Sequence, residues 1–149
     1  MNGFVGEWKS PDLPGTGDAA AAWVADTLCA AGIRADALYV VTPDGGVREA
    51  LSFWAAAQQT GPAFANPGAF PWTLANSTAG RVAQELEIHG PCTTFVAGDE
   101  AVEDVRSVAR DDIADGHARH ALVLLVRSDG APEPVGGAAR WQLTAWLEE

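Results

Sequence analysis

The apolar positions of the chain fall into short blocks whose spacing predicts strands separated by helices. Two continuous apolar runs, Leu38–Thr42 and Ala121–Val126, have the composition of strands that are buried on both faces of a parallel sheet. Every second residue of Trp141–Leu147 is apolar, which predicts a half-buried final strand. Phe4–Trp8 and Cys92–Val96 predict two further short strands, so that we expect about five strands in all.

Helical spacing of apolar residues predicts helices between these strands. Asp18 is a good N-cap for the first helix and Gly32 is a good stop, while the second helix carries Leu51, Trp54 and Ala55 on one side. The predicted helices are Asp18 to about Ala31, Val47–Gln59, Trp72–Leu86 and a last helix that begins near Ala101. A turn is expected over Asp129–Gly137. This alternation predicts an α/β layered domain with a mixed, mostly parallel sheet covered by helices.

Length and composition fit a single domain over residues 1–149, since 48% of the residues are hydrophobic and six are Trp. The formal net charge of −11 makes nucleic acid and anionic membranes poor partners. Cys29 and Cys92 fit a reduced protein, and we expect both to be buried as small apolar side chains. Met1–Ser10 lacks the features of a signal peptide, and no apolar stretch approaches the ~18–20 residues of a membrane span. We therefore expect a cytoplasmic protein.

An ordered set of motifs runs from residue 70 to residue 101. Phe70-Pro71 precedes Asn76 and Gly80, and a Gly90-Pro91 turn then leads into the short strand. The following turn carries Asp99-Glu100 and starts the next predicted helix. A strand that turns into a helix places the turn residue at the positive end of the helix dipole, where a nucleophile or an anion is stabilised. Glu100 occupies that place, where a Cys or Ser would serve as nucleophile.

This order and spacing resemble the N-terminal half of a β-ketoacyl synthase of the thiolase superfamily, over roughly Leu38 to Arg127. Family members carry a similar Phe-Pro…Asn-x-x-Ala-Gly segment, then Gly-Pro, a short strand and the nucleophilic Cys at the next helix start. The resemblance aligns Glu100 with that Cys. The Cys is likewise absent from the chain-length-factor branch, the partner subunits of ketosynthases in type II polyketide systems. The resemblance therefore implies a thiolase-like layered half-domain without a catalytic residue of its own.

The resemblance also implies partners and sites. Such a subunit forms a heterodimer with an active ketosynthase and shapes or closes its acyl tunnel in bacterial polyketide, polyene-type, biosynthesis. Acyl carrier protein, being acidic like this chain, is expected to dock through the ketosynthase. The strand formed by Thr93, Thr94, Phe95 and Val96 is expected to pair antiparallel with the partner's copy. The candidates for the tunnel or pocket are Trp72, Leu74, Asn76, Asp99 and Glu100.

Only a turn and one candidate strand follow Val126. A complete ketosynthase has a second half that supplies two catalytic histidines, so the resemblance implies a truncated ketosynthase-like domain. The three histidines here, His89, His117 and His120, show no nucleophile or metal-ligand spacing, and we expect them on the surface. We expect no cofactor and no metal.

Other interpretations of the same residues remain open. Asp99 and Glu100 would gain ~0.3–1 kcal/mol simply as carboxylates at a helix N-terminus. A thioester decarboxylase or hydrolase could use Glu100, with His89 as a second group. A free-standing scaffold domain is a third possibility. Asp111-Asp112 and Asp115 are expected to form a solvated face, and Gly45-Gly46 and Gly136-Gly137 fit no phosphate-binding loop.

Overall fold

A computed structural model describes residues 3–14, 17–129 and 138–149. In these ranges the chain forms one five-stranded sheet with the spatial order β1-β5-β4-β2-β3. The strands are β1 (Gly3–Lys9), β2 (Ala37–Val41), β3 (Cys92–Phe95), β4 (Ala121–Asp129) and β5 (Arg140–Glu148). The predicted strands are therefore confirmed. The turn expected at Asp129–Gly137 and the pair Gly136-Gly137 lie beyond the described residues, which end at Asp129 and resume at Ala138.

The described ranges contain four α-helices, which are α1 (Gly17–Ala30), α2 (Val47–Thr60), α3 (Ser77–Glu85) and α4 (Val102–Ala114). Three of them, α1, α3 and α4, cover this sheet. Three short 3₁₀ helices, Pro62–Phe64, Phe70–Thr73 and Asp99–Ala101, link them to one another and to the strands. None of the helices in the described ranges is long and apolar enough to cross a membrane.

The sheet is mixed, with parallel pairing on one side and antiparallel pairing on the other. β2 lies between β3 and β4 and pairs parallel with both. β5 pairs antiparallel with β4 and with β1. The mixed α/β architecture is confirmed, but the parallel share is half of the strand pairings and not most of them. The reason is that β4 and β5 are consecutive strands without a helix between them in the described residues, and direct connections favour antiparallel pairing.

Successive residues of the central strands point to opposite faces and fill two separate cores. On one face, Leu38 and Val40 of β2 pack with the buried sides of α1 and α3. On the other face, Tyr39 and Val41 pack with Val105 and its neighbours on α4. The continuous apolar composition of β2 and β4 follows from this three-layer arrangement, because both faces of these strands are covered.

The Gly90-Pro91 turn fixes the start of the parallel pairing between β2 and β3. The Gly90 amide donates to the Asp36 carbonyl oxygen over 3.0 Å, and a Cβ on Gly90 would overlap that oxygen. The carbonyl of Pro91 in turn accepts a hydrogen bond from the Leu38 amide over 2.8 Å. The side chain of Asp36 accepts hydrogen bonds from the amides of Arg119 and His120, just before β4. One residue thereby joins the amino ends of three strands.

Two of the predicted helices differ from those observed. The helix predicted over Trp72–Leu86 begins only at Ser77, because Leu74 is extended (φ −89°, ψ 134°) and ends the 3₁₀ helix Phe70–Thr73. The first helix begins at Gly17, so Asp18 lies inside its first turn and is not the N-cap. Gly32, with φ 68°, follows the end of that helix as predicted.

The apolar side predicted for the second helix does not face the core. Trp54 is 64% exposed and Leu51 is 41% exposed, whereas α2 buries Arg48 and Ala57. α2 packs chiefly against the two neighbouring 3₁₀ helices instead of the sheet. Its apolar pattern therefore marks an uncovered surface.

The expectation that both cysteines are buried is also wrong, because both are exposed. Cys29 lies in the last turn of α1, next to the buried Leu28, and Cys92 opens the edge strand β3, where one side of the strand is uncovered.

Candidate functional site

The turn that carries Asp99 and Glu100 lies where the sequence places it, between β3 and α4. The 3₁₀ helix Asp99–Ala101 leads directly into α4 at Val102. The Glu100 side chain is exposed and folds back so closely over Gly98 that a Cβ on Gly98 would overlap its carboxylate. The turn therefore presents an exposed carboxylate.

Asp99, unlike Glu100, forms an ion pair with a strand of the sheet. Its carboxylate forms an ion pair with Arg127, which follows the buried part of β4, and Arg127 Nε donates to Gln142 Oε1 over 2.9 Å. The turn after β3 is thereby tied to β4 and β5. Asp99 and Glu100 thus lie on the exposed surface at the carboxyl edge of the parallel strands.

The remaining pocket candidates separate into two groups. Trp72 and Leu74 line a small cavity of about 30 Å³ at the ends of β2 and β4, beside Asp44 and Gly46. Asn76 is exposed in the turn just before α3. Two of the five candidates therefore share one cavity, whereas Asn76, Asp99 and Glu100 lie on the surface.

The loop between β2 and α2 packs between the end of β3 and the segment that carries Trp72. Gly46 has φ 80°, and a Cβ there would come within 2.6 Å of the Thr73 carbonyl oxygen. A Cβ on Gly45 would lie 3.0 Å from Val96, the residue after β3. The Gly-Gly pair is explained by this close packing between β3 and the Trp72 segment. Asp44 supports the loop by accepting hydrogen bonds from the amide and hydroxyl of Ser128 at 3.1 and 3.0 Å.

β3 is an edge strand, since in the described residues it pairs only with β2. The carbonyls of Pro91 and Phe95 accept hydrogen bonds from β2 and Thr42, which directs the main-chain groups of the odd-numbered residues inward. The amide and carbonyl of Thr94 therefore point to the open edge, since main-chain groups alternate along a strand. Thr93 is exposed, Thr94 and Phe95 are half-buried, and Val96 is 61% exposed.

Exposed apolar side chains lie on one face of α2 and on the 3₁₀ segments that pack on another side of it; we call this set the α2 apolar surface. It consists of Val47, Leu51, Trp54, Phe64, Phe70 and Leu74. The first three lie at positions i, i+4 and i+7 of the helix and share one face. Val96 packs against Gly45, two residues before this surface begins, so the surface adjoins the carboxyl end of the β3 edge.

The histidines are exposed, as predicted. Among the described residues no group of three or more His, Cys, Asp or Glu side chains could hold a metal ion. His117 Nδ1 lies 3.1 Å from Asp112 Oδ1, and the other oxygen of Asp112 accepts the hydroxyl hydrogen of the buried Tyr39. The Tyr39 bond is the largest cause of a lowered pKa at Asp112, while burial raises the pKa of Tyr39.

Asp112 was therefore wrongly expected to be only a solvated acid. A Tyr in an otherwise aliphatic buried strand was the one available signal, because a buried phenol requires a hydrogen-bond partner.

Sequence reasoning also missed a larger cavity of about 370 Å³ beside Trp72. Glu49 and Phe53 of α2 line it together with the start of α1. Burial raises the pKa of Glu49 above its usual value. The only sequence signal for this cavity was the spacing of a carboxylate and an aromatic residue four positions apart on α2. Many helices have such a pair without a cavity beside it.

Comparison with known proteins identifies the fold. No family model matches the chain, and no curated protein matches it. Solved structures do: the ishigamide ketosynthase/chain length factor superposes with a TM-score of 0.55 at 18% identity, over 72% of this chain and 35% of that one. A ketosynthase (ApeO) in complex with its chain length factor (ApeC) from Xenorhabdus doucetiae superposes with a TM-score of 0.56 at 18% identity, over 88% of this chain and 57% of that one.

The chain therefore shares the fold of these ketosynthase and chain-length-factor structures. It spans 35% and 57% of the lengths of the two solved chains.

Proposed function

We propose that this chain is a chain-length-factor-like subunit that forms a heterodimer with an active ketosynthase and shapes or closes its acyl tunnel in bacterial polyketide biosynthesis of the polyene type. The observation that carries the proposal is the open edge of β3, which adjoins the α2 apolar surface. The single domain over residues 1–149 would work in the cytoplasm.

The edge of β3 supports a paired partner strand. An uncovered edge offers unpaired amides and carbonyls to any other chain and is a risk for aggregation. Antiparallel pairing of the strand Thr93-Thr94-Phe95 with the partner's strand would satisfy the outward amide and carbonyl of Thr94 and extend the sheet across two subunits. The main chain would supply affinity, and Val96 would bring an apolar side chain to the same contact.

The α2 apolar surface supports the same partner. Val47, Leu51 and Trp54 form one exposed apolar face of α2, and large contiguous exposed apolar patches mark interaction sites. Trp54 and Phe64, exposed by 64% and 78%, are the aromatic anchors that interfaces favour. Covering them would add hydrophobic stabilisation to the main-chain hydrogen bonds of β3.

The proposal that this chain is a non-catalytic subunit depends on the turn after β3. Glu100 occupies the place that the resemblance gives to the nucleophile, and a carboxylate attacking a thioester would yield a labile anhydride. The two cysteine thiols lie elsewhere, on Cys29 of α1 and at Cys92, the start of β3. The partner's Cys and histidines would therefore perform the condensation, and acyl carrier protein would dock on the partner, since this chain carries a net charge of −11.

Trp72 and Leu74 are the residues we propose for shaping the tunnel. Both border a cavity at the carboxyl edge, and Leu74 also belongs to the α2 apolar surface. Asn76, Asp99 and Glu100 would border the tunnel only from its outer side, since all three are exposed. A bulky indole at a tunnel end would limit chain growth by making each further two-carbon extension sterically unfavourable.

The competing hypothesis, a thioester decarboxylase or hydrolase that uses Glu100 with His89, is not supported by the positions of these two residues. Glu100 lies beyond the carboxyl end of β3, whereas His89 lies before its amino end. The four residues of β3 between them span roughly 13 Å at ~3.3 Å per residue. The two side chains therefore do not form one acid-base pair.

Co-expression with a ketosynthase encoded beside the gene tests the proposal. We expect the two chains to elute together as a 1:1 complex in size-exclusion chromatography. A chain that stays a stable monomer beside the ketosynthase would favour the scaffold hypothesis. In parallel, malonyl-thioester decarboxylation by the isolated chain is expected to be the same with Glu100→Ala as with the wild type; loss of an activity on this substitution would favour the enzyme hypothesis.

A further inference from the structure

The larger cavity beside Trp72 has the walls of a ligand site, and it shares Trp72 and Glu49 with the small cavity at the carboxyl edge. Its volume is about 370 Å³, and it lies between the first turn of α1, α2 and the loop that begins at Asn66. Two rings, those of Phe53 and Trp72, and four polar side chains, those of Asp18, Glu49, Ser52 and Asn66, line it. A concave site with aromatic walls and a few polar groups is the usual form of a small-molecule site.

The charge of this wall is wholly negative. Asp18 comes from α1 and Glu49 from α2, and no Lys, Arg or His belongs to the described lining. Gly17 packs closely on Glu49 and Trp72, since a Cβ on Gly17 would lie 3.0 Å from both Glu49 Cγ and Trp72 Cβ. Burial raises the pKa of Glu49, and Asp44 acts in the same direction, while the charge of Arg48 acts against them. The cavity thus holds a partly desolvated carboxylate whose own wall provides no cation.

The rings are held in position to contact a bound molecule. Phe53 packs edge-to-face on Phe70, with centroids 5.9 Å apart and planes at 65°. Trp72 is fixed in the 3₁₀ helix Phe70–Thr73. Ring faces attract cations, and the attraction grows when the cation is desolvated. Carboxylates and aromatic rings together therefore favour a positive ligand and disfavour an anion.

We propose that this cavity binds a small organic cation, an ammonium group carried on an apolar or aromatic body. Asp18 and Glu49 accept the hydrogen bonds of the ammonium group, and Phe53 and Trp72 contact the body. Ser52 adds a hydroxyl to the polar side of the site. The net charge of −11 raises the local concentration of such cations around the chain. Binding at this cavity does not require the ketosynthase partner, because every residue that lines the cavity belongs to this chain.

Three probes of similar size test the charge preference: phenethylammonium, the neutral 2-phenylethanol and the anion phenylacetate. Isothermal titration calorimetry on the full chain at low salt measures binding, and quenching of the Trp fluorescence follows the same titrations. We expect phenethylammonium to bind about tenfold more tightly than 2-phenylethanol. A hydrogen bond between charged groups contributes a gain in affinity of about this size. Phenylacetate should not bind.

Glu49→Gln keeps the shape of the side chain and should remove this preference, and Asp18→Asn should reduce it. Glu7→Gln is the matched control, since Glu7 is exposed on β1 and is not part of the cavity wall. It should keep the wild-type preference, and circular dichroism checks that each variant is folded.

Equal affinity for phenethylammonium and 2-phenylethanol would overturn the proposal. So would a preference that survives in both Glu49→Gln and Asp18→Asn, or no saturable binding of phenethylammonium. Because these titrations use the chain alone, their failure is distinct from a failure to bind the ketosynthase.

Discussion

Arg106 Nε donates to Glu148 Oε1 over 2.6 Å, and the side chain of Glu148 is fully buried. The guanidinium group of Arg106 also lies 5.9 Å from the centroid of the Trp146 ring. Arg110 Nη1 approaches the second oxygen of Glu148 at 3.5 Å. These contacts tie α4, the helix that follows the Glu100 turn, to β5, which lies between β1 and β4. A buried carboxylate requires such cations, because removal from water penalises an unpaired charge.

The Arg106–Glu148 pair is expected to stabilise the fold. Arg106→Met keeps most of the apolar stem but leaves the Glu148 carboxylate with only the longer Arg110 contact. We expect the free energy of unfolding to fall by about 3 kcal/mol, as when one partner of a buried ion pair is removed. Urea denaturation at pH 7 measures it. Arg140→Met is the control, because Arg140 and its partner Asp12 are both mainly exposed and should contribute little; equal effects of the two substitutions would contradict the interpretation.

Asp36 is expected to make stability depend on pH at the acid end. The amide of His120 is the largest cause that holds the pKa of Asp36 below 3.8, and the Arg119 amide acts in the same direction. A lowered folded-state pKa stabilises the fold above the unfolded-state pKa, and this stabilisation is lost as the pH falls through the folded-state value. Asp36→Asn should therefore lower the free energy of unfolding at pH 7 and differ less from the wild type below pH 3.8. Urea titrations at both pH values decide this, with Asp26→Asn, on the exposed side of α1, as control.

Glu49 is expected to show the opposite dependence. Burial raises its pKa above 4.5, so its contribution to stability is present below the unfolded-state value and is lost as the pH rises through the folded-state value. Glu49→Gln should therefore raise the melting temperature relative to the wild type at pH 7 and leave it nearly unchanged at pH 4. Scanning calorimetry at the two pH values measures the difference. A variant that is less stable at pH 7 would show that the carboxylate is well paired in the folded chain.

The positions of Gly46 and Gly80 allow a matched pair of substitutions. Gly46→Ala should lower the free energy of unfolding by about 1–3 kcal/mol, since φ is 80° and a Cβ would come within 2.6 Å of the Thr73 carbonyl oxygen. Gly80→Ala should stabilise the chain by up to about 1 kcal/mol, because Gly80 lies inside α3 with no atom near the new Cβ. Chemical denaturation measures both, and the same sign for the two would refute this explanation of the loop.

Much of the fold could be predicted because its strands carry strong local patterns. The run at Ala121–Val126 and the alternation after Trp141 each specify how many faces of a strand are covered, and both strands form as predicted. The order of strands in the sheet was not accessible in this way, since periodicity shows which faces are buried and not which strand lies beside which.

The candidate site was predicted less well, for a physical reason. Helical periodicity at Leu51 and Trp54 shows an apolar face, but a face covered by the core and one left for a partner look alike in sequence. Trp72 was assigned to a helix because the interruption at Leu74 depends on backbone geometry that its residue type does not reveal. The Arg106–Glu148 contact joins residues 42 apart, and no local pattern carries that information.

The open edge of β3 provides the most direct test of the proposed subunit role. Thr94→Pro removes an amide that points away from β2, so the fold should tolerate it while pairing with a partner strand is lost. Thr94→Val is the matched control: it keeps the amide, and within the described residues the buried Thr94 hydroxyl has no hydrogen-bond partner to lose. The measurement is the molar mass, by light scattering after size-exclusion chromatography, of each variant co-expressed with the ketosynthase. The account predicts a heterodimer for the wild type and Thr94→Val and separate chains for Thr94→Pro; a heterodimer that survives Thr94→Pro would contradict it.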